Sequence, residues 1–213
     1  MTPRRALSAL LLCVACGNIG SPEIISSQVY EFRYVVHGKT LIFHWPRSVL
    51  PVRFWVAADS PLRPYLQTAI DRWQGAFLYG EFRGQVVADS TVADVIVRNE
   101  PPDLGGIAAR APQCDGVTDP GIDPDSGAVQ LPMHVFVYPV VSPSTPGIPA
   151  CYSITMTHEL GHVLGIIDPS HSGTTSADVM FANPSLDGIS DRDRLTAVIL
   201  YSVAPTITII GRR

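Results

Sequence analysis

The sequence reads as an α+β protein in which one mixed, twisted sheet carries three helices, and three observations lead there. Short runs rich in β-branched and aromatic residues recur along the chain: Tyr30–Val36, Thr40–Trp45, Val52–Ala57, Ala93–Arg98 and Met133–Tyr138. One amphipathic helical pattern interrupts these runs and two more follow them, so helices and strands are segregated and do not alternate strictly. The composition supports one sizeable core. At 213 residues, 46% hydrophobic and 16% charged, the chain suits a single globular domain and excludes both a disordered tail and a collagen-like fibre.

Each element has a local cause. Arg4 and Arg5, the apolar run through Leu7, Leu10, Leu11 and Leu12, and the small exit Val14-Ala15-Cys16 read as a signal peptide over residues 1–16. Its ending, Cys13-Val14-Ala15-Cys16, is similar to a bacterial lipobox, which would make Cys16 a lipidated N-terminus; plain secretion is the alternative. Residues 17–45 then form a tether and a hairpin turning at His37-Gly38-Lys39, and residues 46–204 form the main domain. Ser60-Pro61 opens a helix, since proline is tolerated in the first turn, and Leu62, Leu66, Ala69, Ile70, Trp73 and Phe77 give it one apolar face. A short strand is expected over Gly105–Ala111. The segment Pro112–Gly127, with four aspartates among prolines and glycines, reads as an exposed loop. After the Met133–Tyr138 strand and a proline-rich connection comes a helix over Ile154–Leu164, stopped by Gly165. Ser190 and Asp193 have the spacing that opens a last helix, Asp191 to about Ser202, with Leu195, Val198 and Ile199 turned inward. Residues 205–213 either add a strand or trail as a tail.

Charge narrows the function. Fifteen basic against nineteen acidic side chains, formal net charge −4 and scattered, leave no footprint for a nucleic-acid backbone. No run reaches the eighteen or so apolar residues a spanning helix needs, so membrane association is expected only through the possible lipid anchor. The chain is expected to be monomeric and exported, either released outside the cell or anchored at the bacterial envelope. Of its four cysteines, cleavage before Cys16 leaves Cys114 and Cys151 as an even pair in an oxidising compartment, which points to a disulfide; two buried thiols are the alternative.

Residues 158–168 read HELGHVLGIID. On a helix, His158 and His162 project from one face, where two imidazoles meet one zinc ion, and Glu159 lies beside the first. H-E-x-x-H alone arises by accident in on the order of one chain in a hundred, so its surroundings decide. Gly165 turns the chain sharply, which returns Asp168 toward the metal as an oxygen ligand and leaves a fourth position open. His171, three residues further on, is the other candidate for third ligand. Asp123, Asp125 and Gly127 form a short Asp-x-Asp-x-Gly string that gives weak grounds for Ca2+; a solvated acidic loop is the plainer reading. His134 has no ligand spacing around it and reads as structural.

With these residues in hand, the chain resembles the metzincin zinc endopeptidases, whose motif H-E-x-x-H-x-x-G-x-x-H/D it matches with Asp168 last, as in the snapalysin group. Ser176-Ala177-Asp178-Val179-Met180-Phe181 resembles the Met-turn of matrixins, and the order of elements over 46–204 is matrixin-like. The resemblance implies a zincin-type fold with an active-site helix, a packing helix and a C-terminal helix. It implies Zn2+ on His158, His162 and Asp168, with Met180 as the hydrophobic floor beneath. It further implies hydrolysis of a polypeptide by a zinc-bound water with Glu159 as general base. The substrate would lie extended along the edge strand Met133–Tyr138, with residues 181–190 walling the adjoining pocket. The competing reading is a non-enzymatic surface lipoprotein that holds zinc structurally and acts as a binding module.

Overall fold

The computed structural model describes residues 29–103, 113–123, 125–167 and 175–211. The expected Gly105–Ala111 strand, the lipidation candidate Cys16, Asp168 and His171 lie outside these residues.

A two-residue turn at His37 and Gly38, both with positive φ, joins β1 (Tyr34–Val36) to β2 (Lys39–Leu41) in an antiparallel hairpin. The main sheet comprises β3 (Val52–Val56), β4 (Gly84–Val87), β5 (Val95–Arg98), β6 (Cys114–Asp119) and β8 (Met133–Pro139), in the order β4-β3-β5-β8-β6. The first four strands in that order run parallel and β6 closes the edge antiparallel to β8, so the sheet is mixed as expected. Alternation sets its buried face. Val52, Phe54, Val56, Val95, Val97, Met133, Val135 and Val137 are all at most 1% exposed. They join one hydrophobic cluster with Leu66, Ala69, Ile70 and Trp73 of α1 (Arg63–Gly75) and Tyr152, Met156, Leu160 and Val163 of α2 (Ile148–Leu164). α3 (Asp191–Ser202) completes the three α-helices among the described residues.

Several elements depart from their sequence readings. α1 begins at Arg63 with Pro64 in its first turn, not at Pro61. α2 begins at Ile148, with Pro149 in its first turn, because proline there initiates the helix and does not merely precede it. The segment expected to be wholly loop contains β6: its glycine and aspartates have poor strand propensity, but six residues pair with β8 and override it. In consequence β8 is an interior strand, and the sheet edge beside α2 is β6. α3 carries the expected capping box, Ser190 with Asp193, yet its buried face is Asp193, Thr196, Ala197 and Leu200, while Val198 is 40% exposed.

Both ends of the described chain pack onto this frame. Tyr30, Phe43 and Trp45 are about 1% exposed and belong to the same core cluster, and the Trp45 indole N–H donates to the carbonyl of Val163 at 2.9 Å. The question left open for the C-terminal residues is answered by β9 (Ile209–Ile210), which pairs in parallel with β7 (Val129–Gln130).

Candidate metal centre

α2 carries the centre, and its C-terminus is shaped for it. Gly165 adopts φ 118°, and its N–H and that of Ile166 close back onto the carbonyls of His162 and Gly161. A Cβ at this position would collide with the carbonyl oxygen of Phe43. Glycine is therefore required twice over, by conformation and by space.

His158 and His162, one helical turn apart, face each other with Nε2 atoms 3.1 Å apart. Each ring is oriented from behind. His158 Nδ1 lies 2.6 Å from the Val179 carbonyl oxygen and His162 Nδ1 lies 2.7 Å from that of Ile166. A carbonyl only accepts, so both Nδ1 atoms carry the proton, which leaves Nε2 as the acceptor nitrogen of each neutral ring. In that tautomer the two rings turn acceptor nitrogens toward one point, where a cation would be held by both. Tetrahedral zinc with nitrogens at about 2.0–2.1 Å spaces its ligands roughly 3.3 Å apart, close to what the helix already supplies. The donor set thus fits zinc. Ligand atoms of His158, Glu159 and His162 all fall within 4.8 Å of one another.

Glu159 is only 4% exposed. Its Oε2 accepts a hydrogen bond from the Thr118 hydroxyl of β6 at 2.7 Å, and a Cβ on Gly116 would lie 2.5 Å from its Oε1. The disulfide between Cys114 and Cys151, as the cysteine parity suggested, ties the start of this strand to α2.

Met180 is fully buried, and it fills the space beside Gly161 so closely that a Cβ there would strike its Sδ. It therefore packs against the helical turn that separates the two histidines. The backbone around it is held by α3: the buried Asp193 carboxylate accepts from the N–H groups of Val179 at 2.8 Å, Met180 at 3.1 Å and Ser190 at 2.8 Å. Since the Val179 carbonyl orients His158, α3 helps to aim that ring through the segment it holds. From the other side, the Trp73 indole donates to the Thr157 carbonyl at 2.8 Å and Arg72 donates to the Thr157 hydroxyl at 2.9 Å. Arg72 and Ser153 also bind Asp187, which anchors the segment between Met180 and α3.

Sequence reasoning missed Gly116, Thr118, the two orienting carbonyls and the bonds that Asp193 makes beyond its own cap, to the Val179 and Met180 N–H groups. A partial signal for the first two was present: Cys151 lies two helical turns before Glu159, so a strand disulfide-bonded to Cys151 passes Glu159 if it runs along the helix toward its C-terminus. The calcium candidates do not assemble a site among the described residues. Asp123 accepts from the Asp125 and Ser126 N–H groups and the Ser126 hydroxyl, and the Ser126 N–H above all holds its carboxyl below the usual range. Compared with protein-family models and with curated proteins, the chain matches none.

Proposed function

We propose that the protein is an exported zinc-dependent endopeptidase of metzincin type. The observation that carries this reading is the pair of Nε2 atoms 3.1 Å apart, each ring fixed by a backbone carbonyl behind it, with the buried carboxylate of Glu159 next to His158 in the chain. His158, His162 and Asp168 would hold the ion, and Met180 would floor the site. When bound, zinc supplies Lewis acidity, polarising a scissile carbonyl and making water a stronger acid. Glu159 takes the proton from the attacking water and delivers it to the departing amine. An intact, buried acid at this position favours hydrolysis over a purely structural ion, which has no use for a base.

A polypeptide substrate fits the edge that β6 leaves beside Glu159, because an extended chain adds to a sheet edge through backbone hydrogen bonds. That edge replaces Met133–Tyr138, which is interior. The disulfide is consistent with export, and no helix among the described residues is long and apolar enough to cross a membrane. Lipidation at Cys16 would anchor the otherwise monomeric domain at the envelope.

The test is digestion of casein and a peptide library by zinc-loaded protein, with a chelator control. Cleavage abolished by chelation and restored by zinc is expected. No cleavage of any peptide by protein carrying one zinc would overturn the proposal in favour of a binding module.

A further inference from the structure

Two residues of β6, Gly116 and Thr118, lie against the Glu159 carboxylate. Cys114, Gly116 and Thr118 occupy alternate positions of this strand, and all three meet α2: by a disulfide to Cys151, by an absent side chain against Glu159, and by a hydroxyl on Glu159. The hydroxyl lies 2.7 Å from Oε2 and 3.1 Å from the backbone oxygen of the same residue. It has one proton to give, and the shorter, charge-assisted bond to the carboxylate is the stronger. A glutamate side chain has three rotatable bonds, so each hydrogen bond to its head group narrows the orientations it samples, of which few suit proton transfer.

Resting on the hydrolytic reading above, we infer that Thr118 is a positioning residue for Glu159. Its hydroxyl holds the carboxylate toward the histidine pair, the missing Cβ of Gly116 gives that carboxylate room, and the Cys114–Cys151 bridge keeps the strand in place on α2. The strand proposed to receive substrate on its outer edge would thus also hold the base through its inward-facing side chains.

The experiment compares the full-length wild type with Thr118→Val, which keeps the shape and loses the donor, and Thr118→Ser, which restores it. For each, kcat and KM on a peptide substrate, zinc affinity by chelator competition, and a high-resolution structure of the zinc-free protein are measured. Loss of one hydrogen bond to a charged group predicts that Thr118→Val lowers kcat by about 10- to 100-fold. KM and zinc affinity should stay within about twofold, because substrate and ligands are not touched. Thr118→Ser should recover most of the loss. In the Thr118→Val structure the Glu159 carboxylate should leave its observed position or occupy several. Equal kcat in all three proteins, equal losses in the Val and Ser variants, or an unmoved Glu159 in the Val structure would overturn the inference. A wild type that cleaves no peptide would instead defeat the hydrolytic reading, and the position of Glu159 in the Val structure would still decide what Thr118 does.

Discussion

Two parts of this molecule gather side chains of metal-ligating type, and the fold uses them in opposite ways. In α2, His158, Glu159 and His162 bring their ligand atoms within 4.8 Å, with the far nitrogen of each ring fixed by a carbonyl from elsewhere in the chain or beyond the helix end. Between β6 and β7, Asp119 accepts from the Gly121 N–H and Asp123 from Asp125 and Ser126, so these carboxylates serve the turns they sit in. Residue type is equally suggestive in both places. What separates them is the direction of lone pairs: convergent where tertiary partners aim the side chain, turned inward where the nearest N–H groups belong to the same loop.

The largest effects should therefore fall on the first region alone. His158→Ala or His162→Ala is expected to abolish tight zinc binding, and hydrolysis with it, as followed by metal content and peptide cleavage. Glu159→Ala should keep the zinc while hydrolysis drops by roughly 10²- to 10⁴-fold, the usual worth of a general base. Asp123→Ala should leave metal stoichiometry unchanged. A second equivalent of metal lost in that variant would erase the distinction between the regions.

Next in size comes the bridge. With a sequence separation of 37, closing the loop constrains the unfolded chain by roughly 4 kcal/mol. Chemical denaturation of Cys114→Ala/Cys151→Ala should show a loss of that order. Asp193 follows. Three N–H groups depend on this buried carboxylate, so Asp193→Ala should cost about 3 kcal/mol. It should also weaken zinc binding, because the Val179 carbonyl behind His158 loses its support. Calorimetry with zinc titration reads both. Lost stability with undiminished zinc affinity would mean that α3 has no part in aiming the ligand.

The smallest effect concerns His134, which pairs across strands with Asp119. Burial, and then the Arg98 cation, hold its imidazole below the ordinary range, while Asp119 acts in the opposite direction. A folded value below the unfolded one favours the fold above about pH 6.5 and loses that contribution as pH falls toward the folded value. NMR titration should find the His134 midpoint below about 6.5, and Arg98→Ala should raise it.

The histidine pair, Gly165, the disulfide and the capping box of α3 were legible because each is written in short-range spacing or in cysteine parity. β6 was not. Its sequence, Cys114-Asp115-Gly116-Val117-Thr118-Asp119, lacks strand propensity, and the pairing that makes it a strand comes from β8, a distant partner. Overlooking it placed the sheet edge one strand too far in and hid Thr118. The inward face of α3 escapes apolar periodicity for a related reason: that helix buries Asp193 and Thr196, whose hydrogen bonds run to the Met180 segment and to Tyr30. Backbone carbonyls such as those of Val179 and Ile166 leave no mark in a sequence at all.

The most direct measurement is a zinc titration of the dialysed, metal-free protein, with His158→Ala alongside and bound metal counted by elemental analysis. One equivalent held tightly by the wild type and none by the variant is the result expected. A wild type that stays metal-free at micromolar zinc would contradict the account at its root.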